Sequence, residues 1–501
     1  MKFKSKARII LSFLSGALPV GLHAGDSLRL TPADLLAKAA VNNLDLEVQM
    51  LERQMSEDRE IIAGEDMVPV FFVDTGFDSS DRRLNQREFL GAGQIREFRE
   101  DRLNISTGVE GMMEAGTRYQ LRTGTSRIKN SSNAAATAPF RPEYQSVTTL
   151  SVTQPLLQGR GREVTLAPQR VQRTETMAVT WENRGVFEQV AARILSASWE
   201  NHFAWENIRV KEEALELAQT LLQENRRRVE EGMMADIDVT QAEVRVAEAR
   251  EELIEARALY RQRQNMLWDL THREPRLDRT PIEVVGLETA LPEPVLERMD
   301  LVQTMRTRNP IYQSQLARAE GEDVRLLFAE NLALPQLDLT GSLGYNGLEE
   351  TFGESIRDYG DRDRPDWGLG LSLRMPLDRS VDQARVREAR AGKRQALLQI
   401  RRTEMELYTV LENLLHDIED ARERVGLVNE SVRLAEEALR GEQRRLDSGL
   451  TTTYNVLNQQ RELSLVRTRA LSAEVALQRT LIDVHLLQGI LSEKMGFTFT
   501  P

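Results

Sequence analysis

The 501-residue sequence contains no cysteine. Disulfides, thiolate metal sites, a cysteine nucleophile and lipid attachment through an N-terminal cysteine are therefore excluded. Histidine is scarce: the five residues, at 23, 202, 272, 416 and 485, never fall within one helical turn of each other, so a histidine metal site is not expected. Aromatic residues make up only 5% of the chain, too few for the cores of ordinary globular domains. Positive charge is in deficit, with 66 Lys and Arg against 78 Asp and Glu and a net charge of -12. The arginines are interleaved with glutamates, which leaves no concentrated basic face for phosphates and argues against nucleic acid as a partner. Beyond the N-terminus, no stretch approaches the ~20 consecutive apolar residues that a membrane-spanning helix needs.

At the N-terminus, Lys2, Lys4, Lys6 and Arg8 precede an apolar run from Ile9 to Leu22 and then Ala24. This pattern reads as a secretory signal peptide over residues 1–24. An exported chain without an apolar helix can cross a membrane only as strands.

The sequence repeats itself. Residues from Asn43 to Pro69 match those from Asn309 to Pro335, 266 positions apart, while Arg228–Gly232 (RVEEG) matches Arg445–Gly449 (RLDSG), 217 apart. Gln154-Pro155 answers Met375-Pro376 after a strand-like run in each copy. Pro69 to Pro155 spans 86 residues but Pro335 to Pro376 only 41, so the first copy carries an insertion within about residues 80–145. The expected organisation is a first repeat over 25–272, a proline-bearing linker over 273–296, a second repeat over 297–491 and a tail over 492–501.

Heptads dominate both copies. Phe187, Ile194, Asn201, Ile208, Leu215, Leu222 and Val229 form one row, beside Val190, Ala197, Ala204, Lys211, Ala218 and Asn225. Leu411, Ile418, Val425, Val432, Leu439 and Leu446 keep the same phase in the second copy. After each glycine, Val239, Val246, Leu253, Tyr260 and Leu267 are echoed by Val456, Leu463, Ala470, Leu477 and Val484. Apolar rows at 3.5-residue spacing require partner helices. A helix of about 65 residues before Gly232 would be roughly 100 Å long, with a return helix of about 40 residues.

Strand-like alternation occurs at Leu337, Leu339, Leu343 and Tyr345 and at Trp367, Leu369, Leu371 and Leu373. In the first copy, Phe71, Val73 and Phe77 lead a strand whose expected partner is Val147–Thr153. Residues 101–127 alternate like a further hairpin, which could lengthen the wall or form an exposed flap. Two hairpins give four strands, whereas single-chain membrane barrels have at least about eight, so a barrel wall would have to be shared between chains. A half-buried soluble sheet would show the same alternation.

The duplicated halves, the strand-to-helix signatures Gln154–Gly159 (QPLLQG) and Met375-Pro376-Leu377, and the Gly232 and Gly449 turns together resemble the TolC-type outer-membrane efflux proteins. The resemblance implies a mostly α fold with a small β part: a homotrimeric α-helical barrel of long coiled-coil helices, continuous with a shared twelve-stranded transmembrane β-barrel of four strands per chain. It also implies a location in the outer membrane extending into the periplasm. The function implied is that of a channel-tunnel in tripartite efflux or type I secretion, with a periplasmic adaptor, an inner-membrane pump and outer-membrane lipid as partners. No cofactor and no catalysis are implied; exported drugs, metal ions and polypeptides all fit. A soluble periplasmic coiled-coil adaptor or scaffold is the alternative.

In this family the tunnel closes where the paired helices turn, here at Glu231–Val239 and Ser448–Asn458. The resemblance points to Gly232, Met233, Gly449 and Leu450 as helix-turn tips for adaptor contact. Asp236, Asp238, Thr451, Asn455 and Asn458 are the entrance candidates. Relatives carry two acidic residues on the helix after the second turn, which align with Asn455 and Asn458, so that constriction would be neutral here. Asp236 is also the expected N-cap of its helix, and Asp238 suits a first helical turn. Gly159-Arg160-Gly161-Arg162 lacks a phosphate-loop spacing and reads as a bend.

Overall fold

The computed structural model describes residues 27–91, 96–132, 138–277, 279–287, 291, 297–358 and 365–497. The signal-peptide segment 1–24, part of the linker 273–296 and the end of the tail 492–501 lie outside the described residues. The first copy contains β1 (Leu28–Leu30), α1 (Pro32–Asn42), α2 (Leu44–Ile62), β2 (Val70–Arg83), α3 (Gln86–Gly91), β3 (Glu97–Met112), β4 (Arg118–Asn130), β5 (Glu143–Pro155), α4 (Arg162–Thr165), α5 (Ala167–Glu230) and α6 (Asp236–Thr271). There follow β6 (Ile282–Val284), α7 (Arg298–Arg308), α8 (Pro310–Leu332), β7 (Gln336–Glu349), α9 (Phe352–Arg357), β8 (Pro365–Arg374), α10 (Ser380–Asp447), α11 (Thr453–Gln488) and α12 (Leu491–Lys494). Helix predominates. The chain divides into two compact units, one of residues 55–176 and 317–398, the other of the remainder.

The first unit holds one antiparallel sheet in the order β2-β3-β4-β5-β7-β8. Its six strands correct the expectation of four per chain. The strand led by Phe71 does not pair with Val147–Thr153; β3 and β4 stand between them, each paired along its length. An insertion whose alternation matches the pleat of its neighbours satisfies more backbone groups inside the sheet than as a flap. One cross-strand row runs Phe71, Val109, Leu121, Leu150, Leu343 and Trp367, and the row on the opposite face runs Phe72, Gly108, Arg122, Thr149, Gly344 and Asp366. The sheet is thus apolar on one face and mostly polar on the other. Proline closes the strands: Pro155 ends β5, and Pro376 follows the end of β8.

The second unit is built on the heptad rows. Val190, Ile194, Leu195, Ala197, Leu267 and Ile482 are buried in one cluster with Leu35 and Leu36 of α1. Leu411 and Ile418 pack with Leu301, Leu481 and Val484, while Leu221, Leu439, Leu446, Val456 and Leu463 form a third cluster near the helix turns. The helices run 64 and 36 residues around Gly232, and 68 and 36 around Gly449. Thr31 caps α1 through a reciprocal pair of bonds with Asp34, and Pro32 at the first helical position supplies a preset φ.

Asn43 and Asn309 perform the same task at equivalent points. Asn43 Oδ1 accepts from the Asp45 and Leu46 amides while its Nδ2 donates to the Leu270 carbonyl, 3.2 Å away. Asn309 Oδ1 accepts from the Tyr312 amide, and its Nδ2 donates to the Leu487 carbonyl at 2.8 Å. The linker contributes more than a loop. Its Ile282–Val284 strand lies parallel to Leu28–Leu30, and Gln264 bonds both the amide and the carbonyl of the fully buried Ile282. The beginning of the tail is packed too: Ser492 is buried, and the Phe497 ring meets Phe187 edge-on at 6.2 Å.

Candidate functional site

The two helix turns have the same backbone. Gly232 and Gly449 both adopt φ of 72°, in the left-handed region where a side chain is strained. In the first turn the Gly232 amide donates to the Val229 carbonyl and the Met233 amide to that of Arg228. In the second, Gly449 donates to Leu446 and Leu450 to Arg445. These are paired C-terminal caps that satisfy carbonyls the helices would otherwise leave open. Met233 and Leu450 project from equivalent positions and are 68% and 70% exposed, a large apolar surface for two single residues.

Beyond the turns, the acidic candidates separate. Asp236 is the first residue of α6 and is exposed; the N-cap is Ala235, with extended dihedrals and no side-chain bond. This corrects the expectation that Asp236 caps the helix. Asp238 occupies the first turn, where the positive end of the helix dipole favours a carboxylate. On α11, Thr452 stands at the cap position without a side-chain bond, and Asn455 and Asn458 are exposed on one helix face three residues apart. Asn455 Nδ2 donates to Thr451 Oγ1 at 3.0 Å, and Thr451 donates to Glu442. Asp236, Asp238, Asn455 and Asn458 make no side-chain bond to one another.

The residue that joins the two turns is Asn225, which the sequence presents only as a polar member of a heptad row. It is 2% exposed. Its Nδ2 donates to the Asp238 carbonyl at 3.1 Å, and its Oδ1 accepts from Thr453 Oγ1 at 3.0 Å, tying the first turn of α6 to that of α11. Farther along the same helices, Lys211 and Arg245 converge on Glu252, at 3.0 and 3.1 Å. Burial opposes ionisation of Glu252, but the two cations outweigh it and hold its carboxyl below the usual carboxylate range. Such groups lock helices together. Among the described residues no cluster of His, Cys, Asp or Glu could hold a metal ion, and no helix is long and apolar enough to cross a membrane.

The wall candidates behave as a set. Leu337, Leu339, Leu343 and Tyr345 of β7 share a face with Trp367, Leu369, Leu371 and Leu373 of β8, and the four β8 residues are each at least 66% exposed. Residues 302–489 match the model of the outer membrane efflux protein family. The family resemblance, carried within these residues by Met375-Pro376-Leu377 and the Gly449 turn, is thereby upheld. No match is found among the curated proteins. In fold, the chain is similar to CusC, whose structures concern transmembrane channel formation, with 13% identity over 91% of this chain and 92% of that one and a TM-score of 0.66. It is similar to the outer membrane protein VceC of Vibrio cholerae, with 16% identity, 90% and 95% coverage and a TM-score of 0.58. It is also similar to the open-state MtrE outer membrane channel of Neisseria gonorrhoeae, with 16% identity, 91% and 88% coverage and a TM-score of 0.58.

Proposed function

We propose that three copies of the chain form an outer-membrane channel-tunnel that passively conducts substrates from a periplasmic adaptor and an inner-membrane pump to the exterior. The carrying observation is a sheet with an exposed apolar face and two edges, β2 and β8, that are unpaired among the described residues. An apolar face suits lipid, where each unpaired edge group would cost several kcal/mol, so the edges must be joined by other copies. Exposed heptad pairs on α10, Leu398 with Met405 and Leu427 with Leu434, offer further surface for the same assembly. The family resemblance supplies the number three. Met233 and Leu450 at the turns are the surface for the adaptor, and Asp236, Asp238, Thr451, Asn455 and Asn458 line the entrance. A soluble periplasmic scaffold would leave the apolar face in water, and nothing favours it.

Cell fractionation followed by mass measurement in detergent tests this reading. The expected result is a trimer that leaves the outer membrane only with detergent. Release of a monodisperse single subunit with the soluble periplasm refutes it.

A further inference from the structure

The hairpin of β3 and β4 has the properties of wall. Its residues Leu103, Ile105, Thr107 and Val109, and Tyr119, Leu121, Thr123 and Thr125, continue the apolar face of β2 and β5 in phase. On the other face, Arg122 sits over the Phe72 ring, 5.6 Å from its centroid, and bonds Ser106 at 2.8 Å and Asp74 at 3.2 Å, linking β2, β3 and β4. The Phe72 ring also covers Gly108, where a Cβ would come within 2.6 Å of it.

The tip of the hairpin is tied down as well. The Gly161 amide donates to the Ala115 carbonyl at 3.1 Å, Arg162 pairs with Glu114 at 3.1 Å, and Thr117 donates to Gln154. Gly116 has φ of 85°, and a Cβ there would stand 2.3 Å from the Gly159 carbonyl. These contacts seat the tip of the hairpin against the end of β5, in line with the wall.

Strand parity decides what the edges accept. Five successive antiparallel pairings leave β2 and β8 running in opposite directions. The β8 edge of one copy therefore meets the β2 edge of the next in antiparallel register, and a ring of copies closes head to tail. An inserted pair of strands preserves that polarity, whereas a single inserted strand would reverse it.

We infer that the membrane barrel has eighteen strands, six from each of three copies, and therefore a wide, porin-like bore on its outer side that admits bulky solutes. The inference rests on the trimeric channel proposed above. With strands ~4.8 Å apart and tilted ~40°, eighteen close at a backbone diameter of roughly 36 Å and twelve at roughly 24 Å. After about 10 Å for lining side chains, the bores are roughly 26 and 14 Å, a ratio of about 1.9.

The chain has no cysteine, so a single introduced thiol reports cleanly. Ser342 lies on the polar face of β7, outside the insertion. Full-length Ser342→Cys is treated from the outer face with maleimide polymers of graded size, beside the same variant lacking Glu97–Asn130. That deletion leaves β2 and β5 with opposite directions and free to pair. The expected limit is about 1.9-fold wider in the full-length protein; equal limits overturn the inference. If the deletion variant does not assemble, the full-length limit decides alone, near 26 Å in support and near 14 Å against. Ile105→Cys is expected to react with membrane-soluble but not water-soluble reagents, and labelling by water-soluble reagent identifies a flap and overturns the wider barrel. A trimeric channel with the narrow limit sinks only this inference. A single subunit by mass, labelled at Ser342→Cys without any size limit, sinks the channel reading itself.

Discussion

Replacing Asn225 by alanine should loosen the helix turns without unfolding the helices. The substitution removes two hydrogen bonds from a site 2% exposed. Thr453 is itself 1% exposed, so water cannot easily replace the lost partner of its hydroxyl, while the partly exposed Asp238 can recover some solvation. A net contribution of about 1 kcal/mol per bond, with about 1 kcal/mol more for the stranded hydroxyl, gives roughly 2–3 kcal/mol. That corresponds to about 30- to 150-fold faster amide exchange around residues 226–240 and 448–458, with protection near the buried Ile194 unchanged. A double-mutant cycle with Thr453→Val isolates the side-chain pair, and a coupling of about 1 kcal/mol is expected. Unchanged local exchange, or strictly additive effects of the two substitutions, would refute the role given to Asn225.

Two further predictions concern charge. The folded-state pKa of Glu252 is depressed, so the stability it contributes is complete above the ordinary carboxylate value of 4.5 and is lost as pH falls through the depressed value. Glu252→Gln should cost about 1–3 kcal/mol at pH 7, since Arg245 is only 6% exposed, and the gap to the native protein should narrow below pH 4.5 in denaturant titrations. A gap that widens on acidification contradicts that sign. In planar bilayers the native entrance should be insensitive to millimolar divalent cations, whereas Asn455→Asp combined with Asn458→Asp should make conductance fall with added cation and recover on acidification. Identical cation responses in both proteins would remove Asn455 and Asn458 from the entrance.

The helices were the legible part of this chain because their information is local and repeated. Every heptad places an apolar residue where the next copy of the pattern needs it, so Ile194, Leu253 and Val456 could be assigned to buried rows without a structure. The glycine turns were legible for a similar reason, since few other residues adopt φ of 72° without strain. Strand count was not. Offset arithmetic measures the length of the insertion but not its pairing, and the alternation around Ile105 and Leu121 suits a flap as well as a wall; only the bonds to β2 and β5 distinguish them. Capping failed at Asp236 because a cap depends on which residue holds the extended dihedrals before the helix, here Ala235 with φ of -90° and ψ of 151°. Asn225 was the least legible of all. An amide on an apolar row reads as an interruption until its partners are known, and these lie 13 and 228 residues away. A buried polar side chain whose partners are that distant acts on arrangement between helices more than on the helix that carries it, and the same reasoning applies to Asn43 and Asn309, each bonded to the end of another helix. Polar interruptions in heptad rows are therefore where the contacts that set one helix against another should be sought.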